Sequence, residues 1–545
     1  MDRAGAPIET LGAFLDAAAA RAPEREALAW APHEAVATRL TWTALREASR
    51  VAARRFLACG VGKGTRVGFL CSNRPEWLPI AFGALRIGAV LVPFSTLWKE
   101  EEIAYGLLHA DVQTLVTMPR FLRHDYLAAL RNLLPELAHA APGGLFAARA
   151  PALRRVVVLG EAPPGTERWE TLATDVDDAF LDATERAVRG ADLATVFFTS
   201  GTTAQAKAVV HAHGALVAAG RRVGEHVGIG PDDAWWGHMP LFWSGGFVIG
   251  ALATMAGGGR IVLQETVDAA SALELLERER CTVMAGWHQA GPLLEHPDFA
   301  SRRLFLRKGS FHPLAPKLLG PDHRAVGMYG MSETATCVAC ARADDPEPIR
   351  SGTFGRPLEG VTLRIVDPET RADVPAGEPG EILVNGPTLM EGYYGVPRSE
   401  TFDAGGFFAT GDLGWVDADG FLHFAGRRKD VIKTAGVNVA SAEVEEALAK
   451  HPAVKAAHVV GVPHETRGEN VAAFVVLEPG AAATADDLRA FCKQTLASYK
   501  VPRHVFLVDE KDVPRTGTGK IEKAALKRDA AERVAKEEAG RLGKD

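Results

Sequence analysis

Apolar positions follow two spacings along the first two-thirds of the chain. Apolar residues three and four positions apart predict helices over 43–57, 76–88, 100–110 and 270–280. Short apolar runs predict buried strands at 66–71, 89–93, 114–117, 194–198 and 260–263. Because the two kinds of element alternate, the pattern favours parallel sheet in an α/β fold.

The pattern changes near residue 350. Short apolar runs at 361–367, 380–385 and 421–425 lie between Gly, Pro and Asp residues, which predicts a small β-rich module. The Asp-Ala-Asp-Gly sequence at 417–420 lacks the downstream Glu and the ligand spacing of a calcium loop, so we expect a hairpin turn there.

A second change follows residue 430. Helices are then predicted at 441–450, 485–496 and from about 521, and strands at 456–462 and 471–477. The expected fold class is therefore α/β. A large N-terminal domain of layered α/β subdomains with the small β-rich module, 1–428, precedes a small α+β C-terminal domain, 429–545.

Length, charge and cysteine usage narrow the class of protein. A chain of 545 residues suffices for two or more domains, and its net charge of −7 gives no support to nucleic-acid binding. The first residues lack the apolar core of a secretory signal, and no uncharged run reaches membrane-spanning length. Six scattered cysteines indicate a reduced, cytoplasmic protein. Cys337 and Cys340 form a C-x-x-C pair without a second ligand pair, which predicts two buried thiols.

A run of hydroxyl residues and glycine is the strongest local feature. The apolar segment 194–198 leads into Thr199-Ser-Gly-Thr-Thr203, and Lys207 follows. Small residues let backbone N–H groups approach phosphate oxygens, and the lysine supplies a cation. The spacing does not match a Walker loop. By itself, the run is equally typical of a polar surface turn.

Four further segments supply groups that suit a nucleotide. Residues 329–334 read Tyr-Gly-Met-Ser-Glu-Thr, in which an aromatic ring could stack on a base and a carboxylate could hold Mg²⁺. Residues 410–413 place a carboxylate beside a turn, suited to two ribose hydroxyls. Residues 426–430 carry two cations, and residues 514–520 form a Gly-rich loop that ends in Lys520.

These segments, in this order, resemble the adenylate-forming superfamily: acyl-CoA synthetases, the adenylation domains of peptide synthetases and beetle luciferases. The resemblance runs from residue 40 to about 523 and includes the segments 64–68 and 88–93. It implies an ATP-dependent acid–thiol ligase, an acyl-CoA synthetase that uses ATP, Mg²⁺ and CoA. Such an enzyme forms acyl-AMP and pyrophosphate from a carboxylic acid and ATP, and then transfers the acyl group to CoA with release of AMP. It also implies a mobile C-terminal domain that changes position between the two steps.

The resemblance also implies individual roles. ATP or AMP contacts are implied for Thr199, Ser200, Gly201, Thr202, Thr203, Lys207, Tyr329, Gly330, Ser332, Asp412 and Arg427. Within this set, the loop 199–203 would wrap the β- and γ-phosphates, Tyr329 would lie against adenine, and Asp412 would bind the ribose hydroxyls with help from Arg427.

Three catalytic residues are implied as well. Lys520 would bridge the substrate carboxylate and the α-phosphate, and Glu333 would hold Mg²⁺ with ATP. Lys429 would be the hinge of the C-terminal domain. After rotation, Lys433, the third catalytic residue, and Gly436 would face the nucleotide and the thiol tunnel.

The acyl pocket is expected around residues 240–246. The implied lining residues are Trp243, Gly245, Gly246, Ser310 and Met331. Trp243 would form a wall or gate, with a plain core residue as the alternative, and the two glycines would leave volume. No charged residue stands out as a reader of an amino group or a second carboxylate, so a hydrophobic or aromatic monocarboxylic acid is expected. His288 and His312 could bond a polar group on the acid or be structural.

Three alanines depart from the family pattern. The family loop reads Thr-Gly-x-Pro-Lys-Gly, whereas this chain has Ala204, Ala206 and Ala208 at the backbone-shaping positions. Alanine does not readily adopt a positive φ. Either the loop uses ordinary angles or its mobility and ATP turnover are altered.

Other functions stay open at this level. A separate carrier protein could accept the acyl group on its phosphopantetheine thiol, since the chain holds no carrier motif of its own. A luciferase-like oxidase of the adenylate, and a catalytically impaired nucleotide-binding homologue, are two further alternatives. Association as a homodimer is also open.

Overall fold

The chain divides into two compact units in a computed structural model that describes residues 9–199, 206–287, 289–434, 437–464, 467–496, 498–516 and 520–542. The first unit comprises Met1–Thr362 with Val384–Phe408, and the second comprises Leu363–Leu383 with Ala409–Asp545. The expected boundary at 428/429 falls inside the second unit. The large N-terminal and small C-terminal parts of a mixed α/β fold agree with the predicted class.

Two large sheets form the frame of the first unit. The eight-stranded sheet has the order Gly392–Tyr393, Lys207–Ala212, Leu193–Thr199, Val90–Pro93, Arg66–Leu70, Thr114–Thr117, Arg155–Val158, Glu167–Arg168. The seven-stranded sheet has the order Arg324–Val326, Lys308–Ser310, Val283–Met284, Ala234–Gly237, Arg260–Gln264, Glu26–Ala31, Thr38–Thr41. Most neighbours are parallel, as the alternating sequence pattern predicted, whereas Lys207–Ala212 is antiparallel to both of its neighbours.

Smaller elements complete the first unit. Its helices are Leu11–Arg21, Trp42–Ala58, Trp77–Arg86, Glu100–His109, Tyr126–Leu133, Asp178–Ala187, His213–Val227, Ala253–Gly257, Ala269–Arg278, Ala290–Glu295, Ala315–Leu319, Glu347–Gly352 and Arg398–Thr401. A π-helix, Gly245–Leu252, precedes one of them. Its short 3-10 helices are Pro135–His139, Trp169–Thr171, Phe299–Ser301 and Ser332–Thr334. A three-stranded antiparallel sheet is formed by Met328–Tyr329, Ala339–Cys340 and Arg356–Pro357, and a two-stranded one by Arg120–Phe121 and His124–Asp125.

Five helices in the described part of the first unit begin at a residue whose side-chain oxygen caps the helix. The Thr41 hydroxyl accepts from the Ala44 N–H at the start of Trp42–Ala58, and Asp268 accepts from the Ser271 N–H at the start of Ala269–Arg278. Buried residues of the longer helices and of the sheets share one core, in which Phe197 and Phe247 meet with ring centroids 6.4 Å apart. The strand that leads into the hydroxyl-rich loop and the π-helix after Trp243 therefore rest on one core.

The second unit contains two sheets. The four-stranded sheet Thr362–Val366, Gly380–Asn385, Phe408–Val416, Leu422–Arg427 begins at the unit boundary. The five-stranded sheet has the order Val437–Ala440, Val431–Thr434, Gly468–Leu477, Val454–His464, with His504–Leu507 paired to Gly468–Leu477. Its helices are Ser441–Ala449, Ala485–Thr495 and Lys523–Leu542, with 3-10 turns Arg428–Asp430 and Glu510–Asp512.

Two local predictions are confirmed. The Asp417 carboxylate accepts from the N–H groups of Asp419 and Phe421, which makes 417–420 a hairpin turn. Cys337 and Cys340 are both fully buried, and the hydrogen bond with Cys337 together with burial raises the pKa of the Cys340 thiol.

Candidate active site

The hydroxyl-rich segment follows one strand of an antiparallel pair and precedes the other. Thr199 ends one strand and stands opposite Lys207, which begins the next strand. The predicted residues Ser200, Gly201, Thr202 and Thr203, and Ala204, lie outside the described part of the chain. The strand register sets Thr199 and Lys207, the two ends of this segment, opposite each other.

One of the three alanines lies in regular extended backbone. Ala208 belongs to the strand opposite Phe198 and is buried. The Ala206 carbonyl accepts a hydrogen bond from the Tyr105 hydroxyl at 3.0 Å. At position 208 the chain therefore avoids the conformation that would require glycine.

The segment around Glu333 is a tight, strained turn. The Met331 carbonyl accepts from the N–H groups of both Thr334 and Thr336. Ala335 and Thr336 adopt φ of 46° and 76°, a region that residues other than glycine rarely occupy. A Cβ at Gly330 would lie 2.2 Å from the Thr336 carbonyl oxygen, so this position requires glycine. Strain of this kind is common at functional sites.

Tyr393 connects Lys207 to Glu333. The Lys207 Nζ lies 4.6 Å from the centroid of the Tyr393 ring, and the Tyr393 hydroxyl donates to Glu333 Oε1 at 2.8 Å. Burial, together with the Glu333 charge, raises the pKa of Tyr393, so the phenol stays a donor at neutral pH. Sequence reasoning missed Tyr393, because its pairing with the strand of Lys207 is visible only in the fold.

Ser332 is also held from two sides. The buried ring of His211 donates from Nε2 to the Ser332 carbonyl at 2.6 Å, and the Ser332 hydroxyl lies 3.2 Å from that of Ser244. Burial lowers the pKa of His211 to about 4. The segment 240–246 of the predicted acyl pocket and the segment of Glu333 are thus in direct contact.

Trp243 lies at the entrance to the π-helix. Its side chain is partly buried against the main core, and its ring meets that of Phe242 edge to face at 5.8 Å. A Cβ on Gly246 would lie 2.1 Å from the Pro240 carbonyl oxygen, so the backbone turn requires this glycine. A Cβ on Gly245 would meet only the flexible end of the Met239 side chain, with the sulfur at 3.1 Å. Space for a ligand is therefore expected at Gly245, where the neighbouring atoms belong to a flexible side chain, and not at Gly246, where they belong to the backbone.

Ser310 belongs to an aromatic cluster. The Trp287 Nε1 donates to the Ser310 carbonyl at 3.0 Å and lies 3.1 Å from its hydroxyl. The His312 ring stacks on Trp287 with a centroid distance of 5.0 Å, and burial lowers the pKa of His312. His288 lies outside the described residues. Met331 packs beside Tyr393 against a small apolar cluster of the first unit.

Tyr329 is mostly enclosed. The residue is 6% exposed, and its ring meets that of Phe354 edge to face at 6.2 Å. Only a small part of the ring surface remains for contact with a base.

In the second unit, Asp412 and Arg427 form an ion pair with Nε 3.2 Å from Oδ1. The Thr410 hydroxyl accepts from the Asp412 N–H and donates to the Ile382 carbonyl. The predicted ribose pair is therefore adjacent.

The remaining lysines occupy distinct elements of the second unit. The backbone of Lys429 lies in the single turn Arg428–Asp430, and that of Lys433 in the strand Val431–Thr434. Gly436 lies outside the described residues. Lys520 is exposed beside a bridge between Arg515 and Ile521, and its carbonyl accepts from the Thr516 N–H at 2.7 Å.

A single carboxylate is the right kind of ligand for a metal that arrives with ATP. Among the described residues, no group of three or more His, Cys, Asp or Glu is placed to hold an ion. Mg²⁺ commonly takes one or two carboxylates and completes its shell with phosphate oxygens and water. Glu333, with Oε1 fixed by Tyr393, fits this role.

Comparison with known families matches most of the chain. The model of the AMP-binding enzyme family matches residues 15–394, and that of the AMP-binding enzyme C-terminal domain matches residues 443–520. Within the residues that the structure covers, no helix has both the length and the apolar character needed to cross a bilayer.

Relatives and solved structures extend the likeness over both units. The putative acyl-CoA synthetase YngI of Bacillus subtilis (strain 168) is 32% identical, with 95% of this chain and 96% of that protein aligned. The mitochondrial medium-chain acyl-CoA ligase ACSF2 of Mus musculus is 30% identical, with 95% and 87% aligned. The crystal structure of the anthranilate CoA ligase AuaEII with anthranoyl-AMP has a TM-score of 0.82 at 26% identity and covers 98% of this chain and 100% of that chain.

Proposed function

The chain belongs to the AMP-binding enzyme family and is an AMP-forming acyl-CoA ligase, and we propose which residues act in each step of its reaction and which class of acid it accepts. The reaction has two steps. A carboxylate oxygen attacks the α-phosphorus of ATP and pyrophosphate leaves. The CoA thiol then loses its proton and attacks the acyl-AMP carbonyl, and AMP leaves.

The observation that supports our assignment of the first step is the arrangement of Thr199, Lys207 and Glu333. The antiparallel strand pair places a hydroxyl and a cation at the two ends of the predicted phosphate loop, and Tyr393 links that cation to the carboxylate. A carboxylate and ATP repel each other, so catalysis needs cations that neutralise both. We assign Lys207 to the β- and γ-phosphates and Lys520 to the α-phosphate and the acid.

Glu333 is the proposed holder of Mg²⁺. When bound, the ion would neutralise phosphate charge and fix the triphosphate geometry. The strained turn at 331–336 and the hydrogen bond from Tyr393 keep the carboxylate in one orientation, which lowers the cost of organising it during the reaction.

The second step is assigned to residues of the C-terminal part. Lys429 lies in a single turn between two strands, where a few backbone angles can absorb a rotation. We propose it as the hinge, with Lys433 and Gly436 replacing Lys520 beside the nucleotide after rotation. Rotation of the C-terminal domain would then bring a different preorganised set of charged residues to the nucleotide in each step.

The proposed acid is a hydrophobic or aromatic monocarboxylic acid. Trp243 and the stacked pair of Trp287 and His312 offer apolar and aromatic surface, and burial disfavours the charged form of His312. The named activities of the relatives, a medium-chain ligase and an anthranilate ligase, fall within this range.

A panel of acids tests the proposal. Linear acids of increasing length, benzoates and dicarboxylates are supplied with ATP and Mg²⁺, and pyrophosphate exchange is measured first without CoA. AMP and thioester formation are then measured with free CoA or with a phosphopantetheinyl carrier protein. We expect exchange with an apolar monocarboxylate and thioester with free CoA. Pyrophosphate exchange confined to dicarboxylates would contradict the proposed class of apolar monocarboxylic acids. Thioester formed only on the carrier protein would contradict CoA as the acyl acceptor.

A further inference from the structure

Lys207 and Glu333 do not pair directly in the arrangement described above. The Tyr393 ring stands between them, with the ammonium 4.6 Å from the ring centroid and the carboxylate bonded to the hydroxyl at 2.8 Å. A direct ion pair would let each charge neutralise the other. A neutral aromatic spacer instead binds both groups while leaving the cation for a phosphate and the carboxylate for a metal.

The backbone holds the spacer in place. Tyr393 is in register with Val209 on the strand of Lys207, and the Tyr394 N–H donates to the Ala208 carbonyl at 2.8 Å. Three residues before Tyr393, the Met390 N–H donates to the Glu333 carbonyl at 2.8 Å. The segment 390–394 is therefore tied to both elements that it connects.

We infer that Tyr393 is a positioning residue that sets the Glu333 carboxylate and the Lys207 ammonium at the places where the metal and the phosphates of ATP bind. The inference rests on the proposed function, in which Glu333 holds Mg²⁺ and Lys207 contacts phosphate. When a group that hydrogen-bonds to a metal ligand and orients it is removed, metal affinity falls roughly 10- to 100-fold.

The test is ATP binding to the full-length protein without acid, by calorimetry, with and without Mg²⁺. Tyr393→Phe removes the hydroxyl and keeps the ring. We expect the gain in ATP affinity that Mg²⁺ provides to fall about tenfold, and the affinity for Mg²⁺-free ATP to stay unchanged.

A neighbouring tyrosine supplies a matched control. The Tyr394 hydroxyl donates to Asp111 Oδ2 at 2.7 Å, so Tyr394→Phe removes a tyrosine–carboxylate bond of nearly equal length away from Glu333. It should bind ATP as the unchanged protein does. An equal loss of the Mg²⁺ effect in both variants would overturn the inference.

Two further variants separate the inference from the proposed function. Glu333→Gln should abolish the Mg²⁺ effect. If it retains the effect, the proposed role of Glu333 fails whatever Tyr393 does. If Glu333→Gln loses the effect and Tyr393→Phe does not, the inference alone fails. In the Glu333→Gln background, Tyr393→Phe should cause no further loss, and an additional loss would contradict action through Glu333.

Tyr393→Leu also removes the ring and tests the contact with Lys207. We expect weaker binding of Mg²⁺-free ATP, because the ammonium loses the surface that positions it. Unchanged Mg²⁺-free affinity would overturn this half of the inference. Thermal unfolding of each variant, with Tyr394→Phe as reference, shows that the binding changes come from folded protein.

Discussion

Asp412 and Arg427 face each other across the antiparallel strands Phe408–Val416 and Leu422–Arg427, with Arg427 Nε 3.2 Å from Asp412 Oδ1. The carboxylate is 6% exposed and the guanidinium 48% exposed. A nearly buried carboxylate that keeps a charged partner is a fixed acceptor for two neighbouring hydroxyls. Because both residues belong to one hairpin, the strand register sets their geometry.

Asp412→Asn should raise the KM for ATP roughly 10- to 100-fold, since it removes a charged acceptor for the proposed ribose contact. Steady-state kinetics with ATP varied at saturating acid would measure the change. Arg428→Ala is the control, because Arg428 lies next to Arg427 at 51% exposure and pairs with Glu381 instead. Equal effects of the two substitutions would contradict a specific role for the Asp412 carboxylate.

Lys520→Ala should lower the rate of adenylation at least about 100-fold, because a cation that stabilises the attacking and leaving oxygens is lost. Formation of thioester from a supplied acyl-adenylate should be spared. Pyrophosphate exchange and single-turnover thioester formation measure the two steps separately.

Lys511→Ala controls for the loss of an exposed lysine from the same unit, since Lys511 is 77% exposed and contacts only surface carboxylates among its described ion pairs. It should leave both steps intact. Adenylation that survives in Lys520→Ala would show that the assigned role of Lys520 is wrong.

Trp243→Ala should broaden the bulk or chain length of the acids accepted, because it removes a partly buried ring beside the glycine turn. The ratio of kcat/KM between a large and a small acid should rise about tenfold, the scale of one or two methylene groups in an apolar pocket. Trp243→Phe retains an aromatic wall and should shift the ratio less. A profile that is the same in all three proteins would place Trp243 outside the pocket.

Acid should destabilise the protein through His211. Burial lowers the pKa of His211 to about 4, against about 6.5 in the unfolded chain. Between these values the unfolded chain binds a proton that the folded protein does not, so the free energy of unfolding falls as pH drops, by about 1.4 kcal/mol per pH unit.

His211→Gln lacks this titration and is expected to be less stable at pH 7. The difference in free energy of unfolding between the unchanged protein and His211→Gln should shrink by about 2 kcal/mol as the pH falls from 7 to 5. Urea unfolding followed by tryptophan fluorescence at both pH values measures it. Burial also lowers the pKa of His213 to about 4, but this residue is present in both proteins and cancels in the comparison. A deficit independent of pH would contradict the prediction.

The sequence by itself determined the elements with strong periodicity. The predicted helix 43–57 is observed as Trp42–Ala58, and the predicted strand 114–117 is Thr114–Thr117. Both were predictable because the local spacing of apolar residues shows whether one face or a whole run is buried. The order of the motifs likewise indicated the family. The sequence also predicted Glu333, Asp412 and Lys520 as site residues, because the chemistry of each is carried by its own side chain, and these roles stay predictions.

Only the tertiary structure decided which groups meet. The register of Lys207–Ala212 with its two neighbours brings Tyr393 beside Lys207, although 185 positions separate them in the sequence, and no local pattern contains that pairing. It also showed that Gly246 serves a backbone contact, whereas Ala208 lies in a strand and needs no glycine-like freedom. Side-chain identity is local information, but contact across a sheet depends on register, which the packing of the whole unit sets.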